Sequence, residues 1–334
     1  MRAWHTAGDG IDALESSERE VPVPGSTEVL VRIGALSLNY RDLLVIEGEG
    51  GWRPESSVVP ISDAVGTVVA VGDRVTRFSE GDRALPVFLP FWRDGGLTAE
   101  TYHSPVGGPV NRGMLADYVV VDEQEAVRPP SHLDDAGAAT LPIAGLTAWH
   151  AVTRTAVGAG DTVLIHGTGG VALFAAQIAI AKGARVIITS SSPDKRSRAE
   201  RLGVVAALDY RNEDVAARVS ELTDGAGADV VIETIGGTNL NLSLEALRIG
   251  GRIAFIGLIE GLTAEVSTYM LVTKNATLHG IETGSRAMLE QLVEFTEEHE
   301  LIPIIDSAYD LDDIRDALKH LKAGNHFGKI VLRA

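Results

Sequence analysis

Short strands dominate the pattern of hydrophobic and polar positions in the first part of the chain. Apolar residues alternate with polar ones or form β-branched runs, and glycine and proline separate the stretches. Residues 87–113 lack such a pattern and contain several glycines, which predicts a long loop. Strands are predicted over residues 28–33, 64–71, 81–86 and 115–121.

The pattern changes after residue 131, where continuous apolar segments alternate with helical periodicity. Such strands with helices between them indicate a parallel sheet that is covered on both faces. A last strand at 329–333 is expected to return to the first domain. We therefore predict an α/β protein with a doubly wound Rossmann domain over 131–299 and a mostly β domain formed by 1–130 and 300–334. In the Rossmann domain, strands are predicted at 162–166, 184–189, 204–208, 228–233, 252–256 and 277–281, and helices at 171–182, 194–202, 213–222 and 240–247.

A glycine-rich turn between the first predicted strand and helix of this domain is the sharpest motif. Gly167, Gly169 and Ala172 have the G-x-G-x-x-A spacing of dinucleotide-binding turns. The helix that follows offers unpaired N–H groups and a positive dipole end to phosphates. We therefore predict that a dinucleotide binds at this turn, rather than that the turn is merely tight. The predicted contacts are Gly167, Thr168, Gly169, Gly170 and Val171.

The end of the second strand indicates which nucleotide binds. An NAD site normally has an acidic residue there, whereas this chain has Ser190 and Ser191, followed by Lys195. Hydroxyl groups and cations suit a 2′-phosphate, so NADP(H) is the expected cofactor. Asp194 is the acidic residue nearby, and a helix cap explains it equally well.

Composition limits the remaining chemistry. The chain has no cysteine, which excludes disulfides, thiolate zinc sites and a catalytic cysteine, and its nine histidines form no His-x-x-x-His pair. No metal is expected. The net charge of −17 disfavours nucleic acids and anionic membranes as partners, which leaves a small-molecule substrate. No apolar run is long enough for a membrane span or a secretory signal, so we expect a cytoplasmic protein.

Several motifs together resemble the medium-chain dehydrogenase/reductase superfamily, in particular its zinc-free quinone oxidoreductase (zeta-crystallin-like) branch and its zinc-free alcohol dehydrogenase relatives. The resemblance covers essentially the whole chain, and it implies that the mostly β domain is a GroES-like catalytic domain. The motifs are LNYRD at 38–42, GDR at 81–83, LPIAGLTAW at 141–149, GTGGV at 167–171 and HFGK at 326–329.

The same resemblance bears on zinc. Zinc-dependent members would have a cysteine near Asn39, a histidine near Ser62 and a further ligand near Ile143, with four cysteines in the 87–113 region. None of these is present. Two residues depart from the family pattern, because Ile61 stands where relatives usually have glycine and Glu233 replaces the usual aspartate.

Roles for other residues are implied by the resemblance. Asn39 and Tyr40 would line the active-site cleft, and Thr147 would contact the nicotinamide ribose or carboxamide. Lys195 and Tyr210 would hold the 2′-phosphate and the adenosine. The segments that would cradle the nicotinamide half contain Gly257, Leu258, Ile259, Ile281, Glu282 and Thr283.

Without zinc to polarise a carbonyl, the easiest hydride acceptors are already activated ones, such as quinones and α,β-unsaturated carbonyls. We hypothesise that Asn39 and Tyr40 donate hydrogen bonds to the substrate oxygen, with Tyr40 or solvent supplying the proton. The alternative is that both residues only cap the helix that follows. Trp52, Phe88 and Trp92 are candidates for a flat pocket, or else ordinary packing residues.

Three functions remain open from sequence. The first is an NADPH-dependent quinone or enone reductase. The second is a zinc-free NADP-dependent carbonyl or alcohol dehydrogenase, or a biosynthetic tailoring reductase. The third, from a different class, is an NADPH-binding structural or RNA-binding protein. The resemblance also implies a homodimer that pairs the edges of two Rossmann sheets.

Overall fold

The computed structural model describes all residues, 1–334, and the chain divides into two compact units, 1–146 with 283–334, and 147–282. In residues 1–146, the predicted strand at 28–33 lies within β3, where Val29, Leu30, Val31 and Ile33 are buried and Arg32 is exposed. The segment contains β1 (Arg2–His5), β2 (Glu15–Glu18), β3 (Glu28–Ser37), α1 (Tyr40–Ile46), β4 (Asp63–Val71), β5 (Arg83–Pro86), β6 (Tyr118–Asp122), β7 (Ala126–Val127) and α2 (Asp135–Ala138). It ends in a π-helical turn, Leu141–Gly145.

The second unit is a parallel sheet with helices between its strands, as predicted. The strand order β10-β9-β8-β11-β12-β13 is that of a doubly wound Rossmann domain, with the order reversing between β8 and β11. Every neighbouring pair is parallel. The elements are α3 (Leu146–Arg154), β8 (Thr162–His166), α4 (Gly170–Ala181), β9 (Arg185–Thr189), α5 (Pro193–Glu200), β10 (Ala206–Leu208), α6 (Val215–Leu222), β11 (Ala228–Glu233), α7 (Asn239–Ala246), β12 (Leu247–Phe255), α8 (Thr268–Thr273) and β13 (Thr277–Gly280).

The last segment returns to the first unit, which confirms the prediction for the tail. It consists of α9 (Arg286–Glu298), β14 (Ile305–Asp310), α10 (Ile314–Ala323) and β15 (Lys329–Arg333). With strands from residues 1–146, β14 and β15 form a seven-stranded sheet. Its order is β14-β15-β3-β4-β5-β7, and β6 also pairs with β3. The strands β1 and β2 form a separate two-stranded sheet. No helix in the chain has the length and apolar character needed to cross a membrane.

The boundaries between the units differ from the predicted ones at 130/131 and 299/300. Residues 131–146 and 283–299 belong to the first unit, because their side chains and backbone contact other residues of that unit. Asp135 of α2 pairs with Arg83 over 2.7 Å. In α9, the N–H of Arg286 donates to the carbonyl of Trp92 over 2.9 Å.

Residues 87–113 contain neither helix nor strand, in agreement with the predicted loop. The loop packs against the backbone of Ile61, whose φ of 68° is unusual for a β-branched residue. A Cβ at Gly113 would lie 2.2 Å from the carbonyl oxygen of Ile61, so only glycine fits there. Glycine adopts this left-handed conformation without strain, which agrees with the glycine that the resemblance implies at this position.

Candidate functional site

The glycine-rich turn joins β8 to α4 as the fingerprint requires. Gly167 has a φ of +82°, and its N–H donates to the carbonyl and the hydroxyl of Thr189 over 3.1 and 3.2 Å. Gly169 caps α4, and a Cβ added to it would meet no atom within 4 Å. Open space above this glycine, in front of the N–H groups of a 12-residue helix, fits a pyrophosphate group.

Most of the other predicted cofactor residues of the second unit directly follow strands and lie along the same edge of the sheet. Because all six strands are parallel, the residues that follow them meet at one edge, which is where ligands bind in this class of fold. Thr283, by contrast, belongs to the first unit. The edge holds Gly167–Val171 after β8, Ser190 and Ser191 after β9, Tyr210 after β10, Gly257, Leu258 and Ile259 after β12, and Ile281 and Glu282 after β13.

The segment after β9 is organised around Ser192, whose hydroxyl accepts the N–H of Lys195 and caps α5. Asp194 is therefore not the cap, and its side chain is 78% exposed. The guanidinium of Arg196 donates to the carbonyl of Ser190 over 2.8 Å and pairs with Asp209 over 3.0 Å, so it braces the ends of β9 and β10.

In the first unit, a buried polar cluster joins Asn39, which precedes α1, to the first residues of β4 and β15, Asp63 and Lys329. Ser37 of β3 lies opposite both Asp63 and Val331, so the register places Asp63 and Lys329 near the same end of the sheet. The Lys329 ammonium donates to the carbonyl of Leu38 over 2.5 Å and to Oδ1 of Asn39 over 2.6 Å. The Asn39 amide in turn donates to Asp63 over 2.9 Å.

Burial controls the protonation of the two ionisable groups in this cluster. Desolvation raises the pKa of Asp63 to about 7, against the opposing attraction of Lys329 and the hydrogen bond from Asn39. Desolvation also lowers the pKa of Lys329 to about 8, although the nearby carboxylates favour its charged form.

Asp42, which is also buried, extends the cluster to Ser62 and Arg41. Its carboxylate accepts the N–H of Asn39 over 2.9 Å and the hydroxyl of Ser62 over 2.7 Å. Arg41 contacts Ser62 and donates to the carbonyls of Val106 and Gly107 in the 87–113 loop. Its guanidinium lies over the rings of Trp52 and Phe88, at 5.2 and 5.0 Å.

The predicted catalytic and pocket residues therefore have different surroundings. Asn39 caps α1 and uses its amide within the cluster, whereas the side chain of Tyr40, the first residue of α1, is 46% exposed. Thr147 is buried in the first turn of α3. Trp92 is a correction to the predicted pocket, because its ring is buried in the core and its Nε1 donates to the carbonyl of Gly95. The ring of Phe88 is also buried, against Arg41.

Sequence reasoning assigned no role to Asp63 or Lys329. For Lys329 the sequence does contain a signal of a buried role. Lys329 belongs to the HFGK motif and begins a strand whose other residues through Leu332 are apolar and buried. A lysine in such a place needs partners, which the sequence does not reveal.

The donor set of this cluster does not fit a zinc ion. At the three positions where zinc-dependent relatives have ligands, Asn39 is bound by Lys329 and Asp63, Ser62 is bound by Asp42, and Ile143 offers an apolar side chain. An ammonium group 2.6 Å from the Asn39 oxygen would also repel a divalent cation. No group of three or more histidine, aspartate and glutamate side chains is arranged to hold a metal.

Comparisons with known proteins define the family. Residues 25–131 match the alcohol dehydrogenase GroES-like domain, and residues 170–298 match the family described as zinc-binding dehydrogenase. A "zinc-type alcohol dehydrogenase-like protein" of Schizosaccharomyces pombe is 35% identical and covers 98% of this chain and 97% of its own. A crystal structure from Sinorhizobium meliloti 1021 is 42% identical, covers 100% of both chains and has a TM-score of 0.93. The chain belongs to the medium-chain dehydrogenase/reductase superfamily and is an oxidoreductase of that family.

Other similar proteins differ in their activities. An acryloyl-coenzyme A reductase of Metallosphaera sedula is 30% identical over 95% of this chain and 96% of its own. A quinone oxidoreductase structure of Pseudomonas syringae is 29% identical and covers 100% of this chain and 99% of its own, with a TM-score of 0.83. A mycobacterial protein solved with NADPH is 27% identical, covers 100% of both chains and has a TM-score of 0.83.

Proposed function

We propose that this chain is a zinc-free, NADPH-dependent reductase that transfers hydride to a quinone or an α,β-unsaturated carbonyl compound. The observation that carries the proposal is the buried cluster in which Lys329, Asn39 and Asp63 bind one another where similar enzymes have zinc ligands. Without a metal to polarise a carbonyl, the acceptor must already be electrophilic, as quinones and conjugated carbonyls are. The similarity to a quinone oxidoreductase and to an acryloyl-coenzyme A reductase supports this substrate class.

The second unit supplies a place for the nucleotide. The N-terminus of α4 and the space at Gly169 suit the pyrophosphate, and Ser190 and Lys195 suit a 2′-phosphate. When bound, NADPH supplies the hydride, and the chain has to hold and orient it and exclude water. The NADPH complex of a similar protein supports this choice of nucleotide.

Tyr40 is the proposed source of the proton that the reduced substrate needs. Its exposed side chain starts a helix whose cap, Asn39, is held on both sides of its amide by Lys329 and Asp63. Asn39 therefore positions Tyr40 rather than donating to substrate itself, because its amide hydrogens are directed to Asp63 and the carbonyl of Ser37. This role combines the two sequence hypotheses, in which Asn39 and Tyr40 either bind substrate or cap the helix.

A second candidate function is a zinc-free NADP-dependent carbonyl or alcohol dehydrogenase. It is favoured by the 35% identity to the alcohol dehydrogenase-like protein of S. pombe. Oxidation of simple alcohols with NADP⁺, at a rate above that of quinone or enone reduction, would support it.

Fluorescence titration of the purified protein with NADPH and NADH tests the cofactor, and NADPH oxidation against a panel of small quinones and enones tests the reaction. We expect much tighter binding of NADPH and turnover of at least one panel member. Equal binding of both nucleotides would contradict the roles of Ser190 and Lys195. Tight NADPH binding without turnover of any quinone, enone, aldehyde or alcohol would favour a non-catalytic role instead.

A further inference from the structure

Glu233, the residue that departs from the usual aspartate, ends β11 as a completely buried carboxylate. Its Oε1 accepts the backbone N–H groups of Ile235 and Gly236, over 2.8 and 3.0 Å. Its Oε2 accepts the amide of Asn239, over 2.8 Å, and the hydroxyl of Ser243. Four donors point at the two oxygens, so the carboxyl group acts here only as a hydrogen-bond acceptor.

The hydroxyl of Ser243 connects the carboxyl group of Glu233 to the ring of His166 by hydrogen bonds. Because Ser243 has a single hydrogen and donates it to Glu233, its oxygen accepts from Nε2 of His166, 3.1 Å away. The Nε2 atom of His166 therefore carries a proton. Burial lowers the pKa of His166, so the ring is neutral and its Nδ1 is an acceptor.

The chain of hydrogen bonds ends at the glycine-rich turn. Thr189 lies 3.4 Å from Nδ1 of His166 and donates its hydroxyl hydrogen to it. The same hydroxyl oxygen accepts the N–H of Gly167 over 3.2 Å. Gly167, Thr189, His166 and Ser243 thus each donate to the next group, and the series ends at Glu233, which accepts. The side chains of Thr189, His166, Ser243 and Glu233 are buried.

We propose that Glu233 is a positioning residue for the nucleotide. Through Ser243 it holds His166 in the Nε2–H tautomer. This tautomer orients the Thr189 hydroxyl, which accepts the Gly167 N–H together with the Thr189 carbonyl and so supports the left-handed conformation that opens the turn. The proposal rests on nucleotide binding at this turn, as put forward above. It assigns a function to the glutamate without requiring any contact between Glu233 and the ligand.

Backbone groups and the hydroxyl of Thr234 next to the carboxylate also join two neighbouring loops to the turn. The hydroxyl of Thr234 donates to the carbonyl of His166, and the N–H of Gly257 donates to the carbonyl of Glu233 over 3.0 Å. A Cβ at Gly236 would lie 2.0 Å from the carbonyl oxygen of Gly257, so the loops after β11 and β12 touch through their backbones. Glu233 therefore lies where the turn meets the loops after β11 and β12, three segments that are expected to contact the cofactor.

Glu233→Gln tests the direction of this hydrogen-bond chain. The backbone N–H groups of Ile235 and Gly236 still require an oxygen, so the new amide nitrogen must face Ser243 and Asn239. Ser243 then accepts from the amide and donates to Nε2 of His166, which shifts the ring to the Nδ1–H tautomer. Nitrogen-15 NMR of the histidine ring in the nucleotide-free protein distinguishes the two tautomers, with His166→Gln used for assignment.

We expect the tautomer to switch in Glu233→Gln and the Kd for NADPH to rise about tenfold, as for the loss of one hydrogen bond. Glu245→Gln is the matched control, because Glu245 lies on α7, the helix of Ser243, with an exposed side chain, and it should leave both measurements unchanged. If Glu233→Gln does not fold, Ser243→Ala interrupts the chain while the carboxylate keeps its backbone partners, and it should weaken NADPH binding similarly.

An unchanged Nε2–H tautomer in Glu233→Gln would overturn the proposal, since Glu233 would then only cap its own loop. An unchanged Kd for NADPH in both Glu233→Gln and Ser243→Ala would overturn it as well. If the unaltered protein binds neither NADPH nor NADH, the proposed function fails, whereas the tautomer measurement still decides on the hydrogen-bond chain by itself.

Discussion

The ammonium group of Lys329 lies 2.6 Å from the side-chain oxygen of Asn39, and this contact orients the amide that caps α1. Asp63 completes the arrangement from the other side of the amide, at 2.9 Å. Both ionisable groups are buried, so each depends on the other to offset its desolvation. The cluster is therefore a structural element of the first unit.

Lys329→Met should destabilise the protein by about 3 kcal/mol at pH 8, because it leaves Asp63 buried without its cation. The loss should be smaller at pH 5. The folded-state pKa of Asp63 is raised to about 7, so at pH 5 Asp63 is protonated and carries no charge, whereas in the unfolded chain it ionises above about pH 4. Stability of the variant should therefore fall as the pH rises from about 4 through the pKa of folded Asp63. Urea unfolding at both pH values measures this.

Lys319→Met is the control for this experiment, because Lys319 is an exposed lysine that pairs with Asp12. It should leave the stability almost unchanged at either pH, because an exposed ion pair contributes little. Equal destabilisation of Lys329→Met at pH 5 and pH 8 would show that the lysine contributes packing rather than charge compensation.

Lys195→Ala should weaken NADPH binding by about 10- to 100-fold and leave NADH binding almost unchanged. The reason is that a charge-assisted hydrogen bond to a 2′-phosphate contributes roughly 1.5–3 kcal/mol, and NADH has no such group. Fluorescence titration with both nucleotides measures the difference. Arg201→Ala provides the control, because Arg201 is an exposed cation at the other end of α5. A similar loss for both nucleotides would mean that Lys195 supports α5 instead.

Continuous apolar strands were the most predictable part of the fold. The bounds of β8, β11 and β15 agree with the sequence predictions to the residue, because polar or glycine residues flank each apolar run. The strand β2, by contrast, has the sequence ESSE and is fully exposed. Its only strand partner is β1, and no local pattern in the sequence reveals such a pairing.

The candidate site was predictable where its residues are close in the chain. The glycine-rich turn could be read from its spacing, since strand, turn and helix are consecutive. The contacts of Asn39 with Asp63 and Lys329 could not, because they depend on how β4 and β15 align with β3. Trp92 was misplaced for a similar reason, since an aromatic residue in a loop can be exposed or buried, and only the fold shows that this one is part of the core.

The outer edge of β13 ends the sheet of the second unit and carries Leu278, which is 43% exposed. Unpaired strand edges with exposed apolar residues favour pairing with another chain, so we propose that a second copy of this protein binds here. Light scattering should give the mass of a dimer. Leu278→Lys should give a monomer, because a charge at the edge opposes pairing, whereas Val110→Lys, at an exposed apolar residue of the first unit, should not. A monomeric unaltered protein would contradict the proposal.

Tyr40→Phe addresses the proton in the proposed reaction. If the hydroxyl of Tyr40 delivers the proton to the reduced substrate, kcat for the best quinone or enone should fall about 100-fold, within the range for general acids. The KM for NADPH should not change, because the substitution keeps the ring and the cap formed by Asn39. Steady-state kinetics measure both values, with Tyr269→Phe as the control, since that tyrosine is also exposed but lies in the second unit. Unchanged turnover in Tyr40→Phe would mean that solvent supplies the proton.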